Sequence, residues 1–155
     1  MNLNKNQIDK INVGGRGGKE GIFAPVLTEY KRVSESLYDF VHVKNNSKKI
    51  EIKKQQNLQW FDAGKYHDLT QDQKNILMMF VNHVKGSVQS IYTISLGKFI
   101  ETFCSDSSYQ EDGWTQENIE ACHVQKVAFP RMQVKVPLKV LDFVERYPNQ
   151  VTKVY

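Results

Sequence analysis

Apolar and polar positions recur along this chain in two rhythms, one near 3.6 residues and one near two. After Pro25, the residues Val26, Leu27, Tyr30, Val33 and Leu37 fall on one stripe of the longer period. That spacing predicts an amphipathic helix over residues 24–37. Tyr38 to Lys44 and Lys49 to Lys54 then flank a polar turn at Asn45-Asn46-Ser47, which reads as a β-hairpin or a pair of short neighbouring strands. Thr70 and Gln73 form a capping box ahead of Ile76, Leu77, Phe80, Val81 and Val84, with Gly86 behind as a C-cap. A second helix carrying His83 is expected there. Residues 88–96, VQSIYTISL, are rich in β-formers and predict a central strand. A short helical turn at 98–103, an acidic loop with Gly113 and a short helix capped by Thr115 come next. Residues 127–136 read as extended, Pro137 opens a helix through Glu145, and VTKVY reads as an edge strand. The expected fold class is α/β (α+β), a mixed central β-sheet flanked by helices.

Length refines this to one domain spanning residues 1–155, with 1–21 as a flexible or dimer-contacting N-terminal arm. An apolar content of 40% with 25% charged residues excludes collagen-like, coiled-coil and wholly disordered chains. No stretch approaches the roughly 18 continuous apolar residues of a membrane span, and the first residues carry no signal-like apolar region. The expectation is a cytoplasmic protein with no membrane partner and no organic cofactor. Cys104 and Cys122 read as ordinary thiols, because their spacing with His123 fits no zinc pattern.

The net charge of +4 conceals its layout. Residues 1–60 carry eleven basic and six acidic side chains, whereas residues 100–123 carry six acidic and none basic. Local sign matters more to a charged partner than the total does. The acidic segment is therefore expected to face away from a polyanion. The glycine-rich stretch from Gly14 to Gly21 lacks the Lys-Ser/Thr pair of a phosphate loop and reads as a basic loop. Its Arg16 and Lys19 are suited to lie along a phosphate backbone.

The candidate chemistry lies between Asp39 and Asn57. In the second hairpin strand Ile50 and Ile52 face one way, while Glu51 and Lys53 face the other. The hairpin brings Asp39 toward Glu51, and two neighbouring carboxylates repel unless a cation joins them; hard oxygen donors suit Mg²⁺. Glu29 and Glu35, just upstream, are candidates for an additional acid. Lys44, Lys49 and Lys54 surround the acids and favour a polyanion, while Gln55, Gln56 and Asn57 offer amides to phosphates or base edges. His67 is a candidate DNA contact in a polar loop, and His42 reads as a structural histidine. Trp60-Phe61 reads as a loop anchor, and Tyr109 and Trp114 as packing residues. Against these signs, Glu-x-Lys on the solvent face of a strand is also a common, purely structural pattern.

Asp39 followed by Glu51-Ile52-Lys53 resembles the signature of the PD-(D/E)XK nuclease superfamily, most closely its small type II restriction endonucleases. Tyr38 departs from the signature, standing where many members have proline. The runs Val134-Lys135-Val136-Pro137-Leu138-Lys139-Val140 and Val151 to Tyr155 add a shorter, gapped likeness. The resemblance implies a restriction-endonuclease-like sheet and Mg²⁺-dependent hydrolysis of double-stranded DNA, with Mn²⁺ able to substitute. It implies Asp39, Glu51 and Lys53 as catalytic residues, and Asp39, Glu51 and the Ile52 carbonyl as metal ligands. A palindromic target further implies a homodimer. Archaeal-type Holliday junction resolvases are similar almost as well, with Glu29, or Glu20, as their extra acid. A non-catalytic DNA-binding accessory protein is the third alternative.

Overall fold

In the computed structural model, residues 1–11, 23–35, 37–55, 59–111, 113–125, 133–136 and 140–155 are described. In chain order they form α1 (Lys5–Ile8), β1 (Tyr30–Arg32), β2 (Phe40–His42), β3 (Asn45–Gln55) and β4 (Gln59–Asp62). A 3-10 turn (Ala63–Tyr66), α2 (Gln71–Lys74), β5 (Leu77–Val84) and β6 (Ser87–Ser95) come next. The chain continues through α3 (Leu96–Ser105), α4 (Ser107–Glu111), α5 (Gln116–Gln125), β7 (Gln133–Val136), α6 (Val140–Arg146) and β8 (Thr152–Lys153).

Among the described residues, six strands make one sheet in the order β1-β2-β3-β5-β6-β8, and β4 pairs with β7 separately. All neighbours in the main sheet are antiparallel except β3 and β5, which run parallel with Ile50 opposite Leu77 and Lys53 opposite Phe80. The pleat divides the apolar side chains between two cores. On one face Phe40, Ile50, Ile52, Met79, Val81 and Ile91 pack with Leu3, Ile8, Phe23, Val26 and Leu27. On the other, Met78, Phe80 and Ile94 pack under the helices with Phe99, Phe103, Trp114, Ile119 and Phe143. Phe103 lies at the centre of this ring cluster, 5.0 Å from Trp114 and 5.4 Å from Phe143 between centroids. The expected packing roles of Tyr109 and Trp114 are met there, both being buried. Cys104 and Cys122 are free thiols. No helix among the described residues is long and apolar enough to cross a membrane.

The mixed sheet flanked by helices agrees with the expected fold class, but two expected helices are strands. Residues 24–37 contain a turn after Phe23 and then β1. A helix would hold Val26, Leu27 and Leu37 on one stripe; the fold sends the first two to one core and Leu37 to the other. In the second case the capping box is real: Thr70 accepts from Gln73 N–H at 3.2 Å, and Gln73 accepts from Thr70 N–H at 2.8 Å. It opens only the single turn of α2, and β5 comes directly after. The run Leu77–Val81 is apolar throughout because β5 is an inner strand buried on both faces, a pattern that also satisfies helical spacing. His83 is consequently on a strand. Gly86 (φ 83°) turns the β5–β6 hairpin together with Lys85 (φ 47°) instead of capping a helix, since paired positive φ angles match the twist of a two-residue hairpin turn.

Smaller shifts have the same origin. The β2–β3 turn falls at Val43-Lys44, and Asn45-Asn46-Ser47 already belong to β3. Ser95 caps α3, which is longer than the turn expected at 98–103, and the acidic loop contains α4. Thr115 caps α5 as expected, accepting from Asn118 N–H at 3.1 Å. Trp60-Phe61 lie on β4 and not in a loop. β7 falls within the expected extended segment, α6 starts after Pro137, and β8 is an edge strand on β6.

Candidate active site on the β2–β3 hairpin

Asp39 enters β2 where the hairpin register sets Phe40 opposite Ile50. Its own N–H donates to the Ile50 carbonyl at 2.8 Å, and its Oδ2 accepts from Ile52 N–H at 2.8 Å. Asp39 thus spans Glu51 from both sides along β3. Because Phe40, Ile50 and Ile52 all enter the first core, period-two alternation sets Asp39, Glu51 and Lys53 on the opposite face, shared with Met78 and Phe80. The Lys53 ammonium is 2.5 Å from Glu51 Oε1. Asp39 and Glu51 are only 7% and 8% exposed. Burying two carboxylates on one sheet face is tolerable only with hydrogen bonds and cationic partners, and Ile52 N–H and Lys53 are two of these.

The donor set fits a hard divalent cation. Ile52 turns its N–H toward Asp39, and the N–H and C=O of one strand residue leave on the same side, so its carbonyl faces the β2 side of β3. Among the described residues no three His, Cys, Asp or Glu side chains cluster as metal ligands. Two carboxylates and one carbonyl suit Mg²⁺, which commonly takes one or two carboxylates and completes its octahedron with water and phosphate.

Of the two additional acids, Glu29 is directed elsewhere. Glu29 stands at the far end of the hairpin, its carbonyl accepting from Val43 N–H at 2.9 Å and its carboxylate 3.9 Å from His42 Nε2. Four residues of strand, about 13 Å, separate Val43 from Asp39. Glu35 is exposed in the β1–β2 connection, two residues beyond Val33, whose N–H donates to the Asp39 carbonyl at 2.9 Å. His42 has the structural role expected of it. It accepts from Lys44 N–H at Nδ1, 3.1 Å away, and meets the Tyr30 ring edge-on at 5.1 Å.

The expected DNA contacts separate. Lys49 shares the face of Glu51 and Lys53 by alternation, with its ammonium 5.1 Å from the centre of the Tyr38 ring. Lys54 is on the reverse face beside His83, where burial first and the Lys54 charge second hold the imidazole below its usual pKa. Lys44 is exposed in the hairpin turn. The His67 ring lies 4.6 Å from that of His123, tilted by 33°, and His123 Nδ1 is 3.3 Å from the Gly64 carbonyl, where the 3-10 turn meets α5. Gln55 ends β3. Arg16, Lys19, Gln56 and Asn57 lie outside the described residues.

Two neighbours of the site are not evident from sequence. Lys31 joins it only through strand register, and Tyr38 is legible only as a departure from a motif. The acidic segment packs on the same sheet face as the carboxylates, over β5 and β6, with Glu101, Glu111, Glu117 and Glu120 exposed. A cavity of about 540 Å³, lined by Tyr66, Asp68, Lys74, Ile100, Glu101 and Cys104 among others, contains none of Asp39, Glu51 and Lys53. Neither a protein-family model nor a curated protein matches the chain, so its geometry carries the functional reading.

Proposed function

We propose that this protein is a Mg²⁺-dependent endonuclease that hydrolyses phosphodiester bonds of double-stranded DNA at a short specific site, in the manner of a type II restriction enzyme. One observation carries the reading: two buried carboxylates, Asp39 and Glu51, share a sheet face with Lys53 ion-paired to Glu51. Asp39, Glu51 and the Ile52 carbonyl would hold the cation, and Mn²⁺ is expected to substitute. When bound, such an ion lowers the pKa of water and stabilises charge developing on phosphate.

The chain's own groups do the rest. Asp39 is held by Ile52 N–H, which fixes its carboxylate relative to β3. Lys53 opposes the negative charge that grows on the phosphoryl oxygens as water attacks phosphorus and the bond to the leaving sugar oxygen breaks. No side chain need form a covalent intermediate. A palindromic site requires a two-fold arrangement, so the active species is a homodimer, and a restriction role places it in the cytoplasm. The junction-resolvase alternative gains no support from Glu29, which pairs with His42 instead of joining Asp39.

Incubation of the protein with long unmethylated duplex DNA and Mg²⁺ should give discrete fragments, and EDTA should stop it. Asp39→Asn, Glu51→Gln and Lys53→Ala should each lower cutting by at least about 100-fold while circular dichroism remains native. A smear, or an intact substrate across DNA of varied sequence, removes the restriction reading. Symmetric nicking of a four-way junction with matched duplex spared would replace it with the resolvase reading.

A further inference from the structure

We propose that Lys31 and Lys49 form a second phosphate-binding subsite beside the carboxylate pair, with Tyr38 as the positioning residue for Lys49. The inference rests on the nuclease reading and deepens it. Strand register sets the geometry. Lys31 is opposite Val41, and Val41 is opposite Lys49, so the three form one transverse row across β1, β2 and β3. Directly opposed residues share a sheet face, and Lys49, Glu51 and Lys53 alternate onto the same side of β3. The row therefore runs parallel to the Asp39–Glu51 row, displaced by two residues, about 6.8 Å along the strand. Lys31 and Lys49 are two strands apart, about 10 Å, within the span over which two lysine side chains converge on one phosphate or hold two successive ones.

The chemistry of the row suits the same ligand. Lys31 is exposed and Lys49 half-buried, so both ammoniums border solvent on the face of the carboxylates. The Tyr38 ring lies 5.1 Å from the Lys49 ammonium and packs against the helical core, which restrains an otherwise flexible cation. A restrained cation loses less freedom on meeting phosphate. Charge at this position lets a DNA strand whose scissile phosphate sits at Asp39 and Glu51 be gripped at a neighbouring phosphate.

Equilibrium binding of a duplex oligonucleotide in EDTA, measured over a series of KCl concentrations, tests the assignment without cleavage. Each lost phosphate contact lowers the slope of log K against log salt by about 0.9. Lys31→Ala and Lys49→Ala should each show that loss, and Lys49→Arg should restore the slope. Tyr38→Phe should bind as the wild type, whereas Tyr38→Ala should weaken binding, and Tyr38→Ala with Lys49→Ala should be no weaker than Lys49→Ala alone. An unchanged slope in Lys31→Ala, against salt-sensitive wild-type binding, overturns the subsite and leaves the nuclease reading standing. Additive losses in the Tyr38 and Lys49 pair overturn the positioning role. A wild-type protein that binds no duplex at low salt in EDTA overturns the subsite, while cleavage with Mg²⁺ decides the nuclease reading separately.

Discussion

Lys53 has two tasks that pull in different directions. It stabilises the buried Glu51 carboxylate in the protein without ligands, and the proposed chemistry needs it to face phosphate. Removing one partner of a buried ion pair is costly because the other charge remains in a poor solvent. Lys53→Ala should therefore melt at a lower temperature in EDTA, and Mg²⁺ should raise its melting temperature more than that of the wild type. Equal Mg²⁺ responses would mean that the cation and Lys53 do not meet at Glu51. Tyr109 offers a separate test by pH. Burial, opposed by the neighbouring Arg146 and reinforced by Asp106, pushes its phenol up to about 12. The fold therefore favours the neutral phenol. That contribution is complete below about pH 10 and is lost as pH rises through 12, a change on the order of 2–3 kcal/mol. Tyr109→Phe should have nearly wild-type urea stability at pH 7 and a smaller loss between pH 10 and 12.

At the level of elements, close approach of backbone decides what can change. A Cβ added to Gly97, near the start of α3, would fall 2.8 Å from Lys74 Cβ and 3.3 Å from the Lys74 carbonyl. Gly97→Ala should push α2 from α3 and cost about 1–3 kcal/mol in urea denaturation. That contact lies just ahead of β5, whose Leu77 and Met78 stand opposite Ile50 and Glu51. The elements also mark where local signals sufficed. Capping at Thr70 and Thr115 was legible because a hydroxyl and the next turn's N–H groups are sequence neighbours. Whether a capped turn grows into a long helix was not legible at Thr70. There β5 forms by pairing with β3 and β6, neither of which is implied by residues 70–84.

For the whole molecule, the terminal helix closes the aromatic core through one carboxylate. Asp106 accepts from Arg146 Nη2 at 2.7 Å and from the Tyr147 hydroxyl, while its other oxygen caps α4 through Ser108 N–H at 2.8 Å. This tie anchors α6 over β5, the strand next to the one that bears Glu51. The restriction reading adds an assembly state: sedimentation equilibrium should give twice the 18.0 kDa chain mass. A monomer at micromolar concentration, even with duplex DNA, would rule out two-fold cutting of a palindrome.

The sequence by itself determined the mixed class of the fold, the N-caps at Thr70 and Thr115, the hairpin and the alternation that separates Ile50 and Ile52 from Glu51 and Lys53. Each depends on residues close in the chain, where covalent geometry fixes which side chains can meet. Only the tertiary structure decided that residues 30–32 and 77–84 are strands and that Glu29 belongs to His42. It alone brought Lys31 into line with Lys49 and set Lys54 behind the sheet beside His83. Those outcomes depend on strand order and register, which are set by burying two apolar faces at once, and no window of local sequence contains both faces.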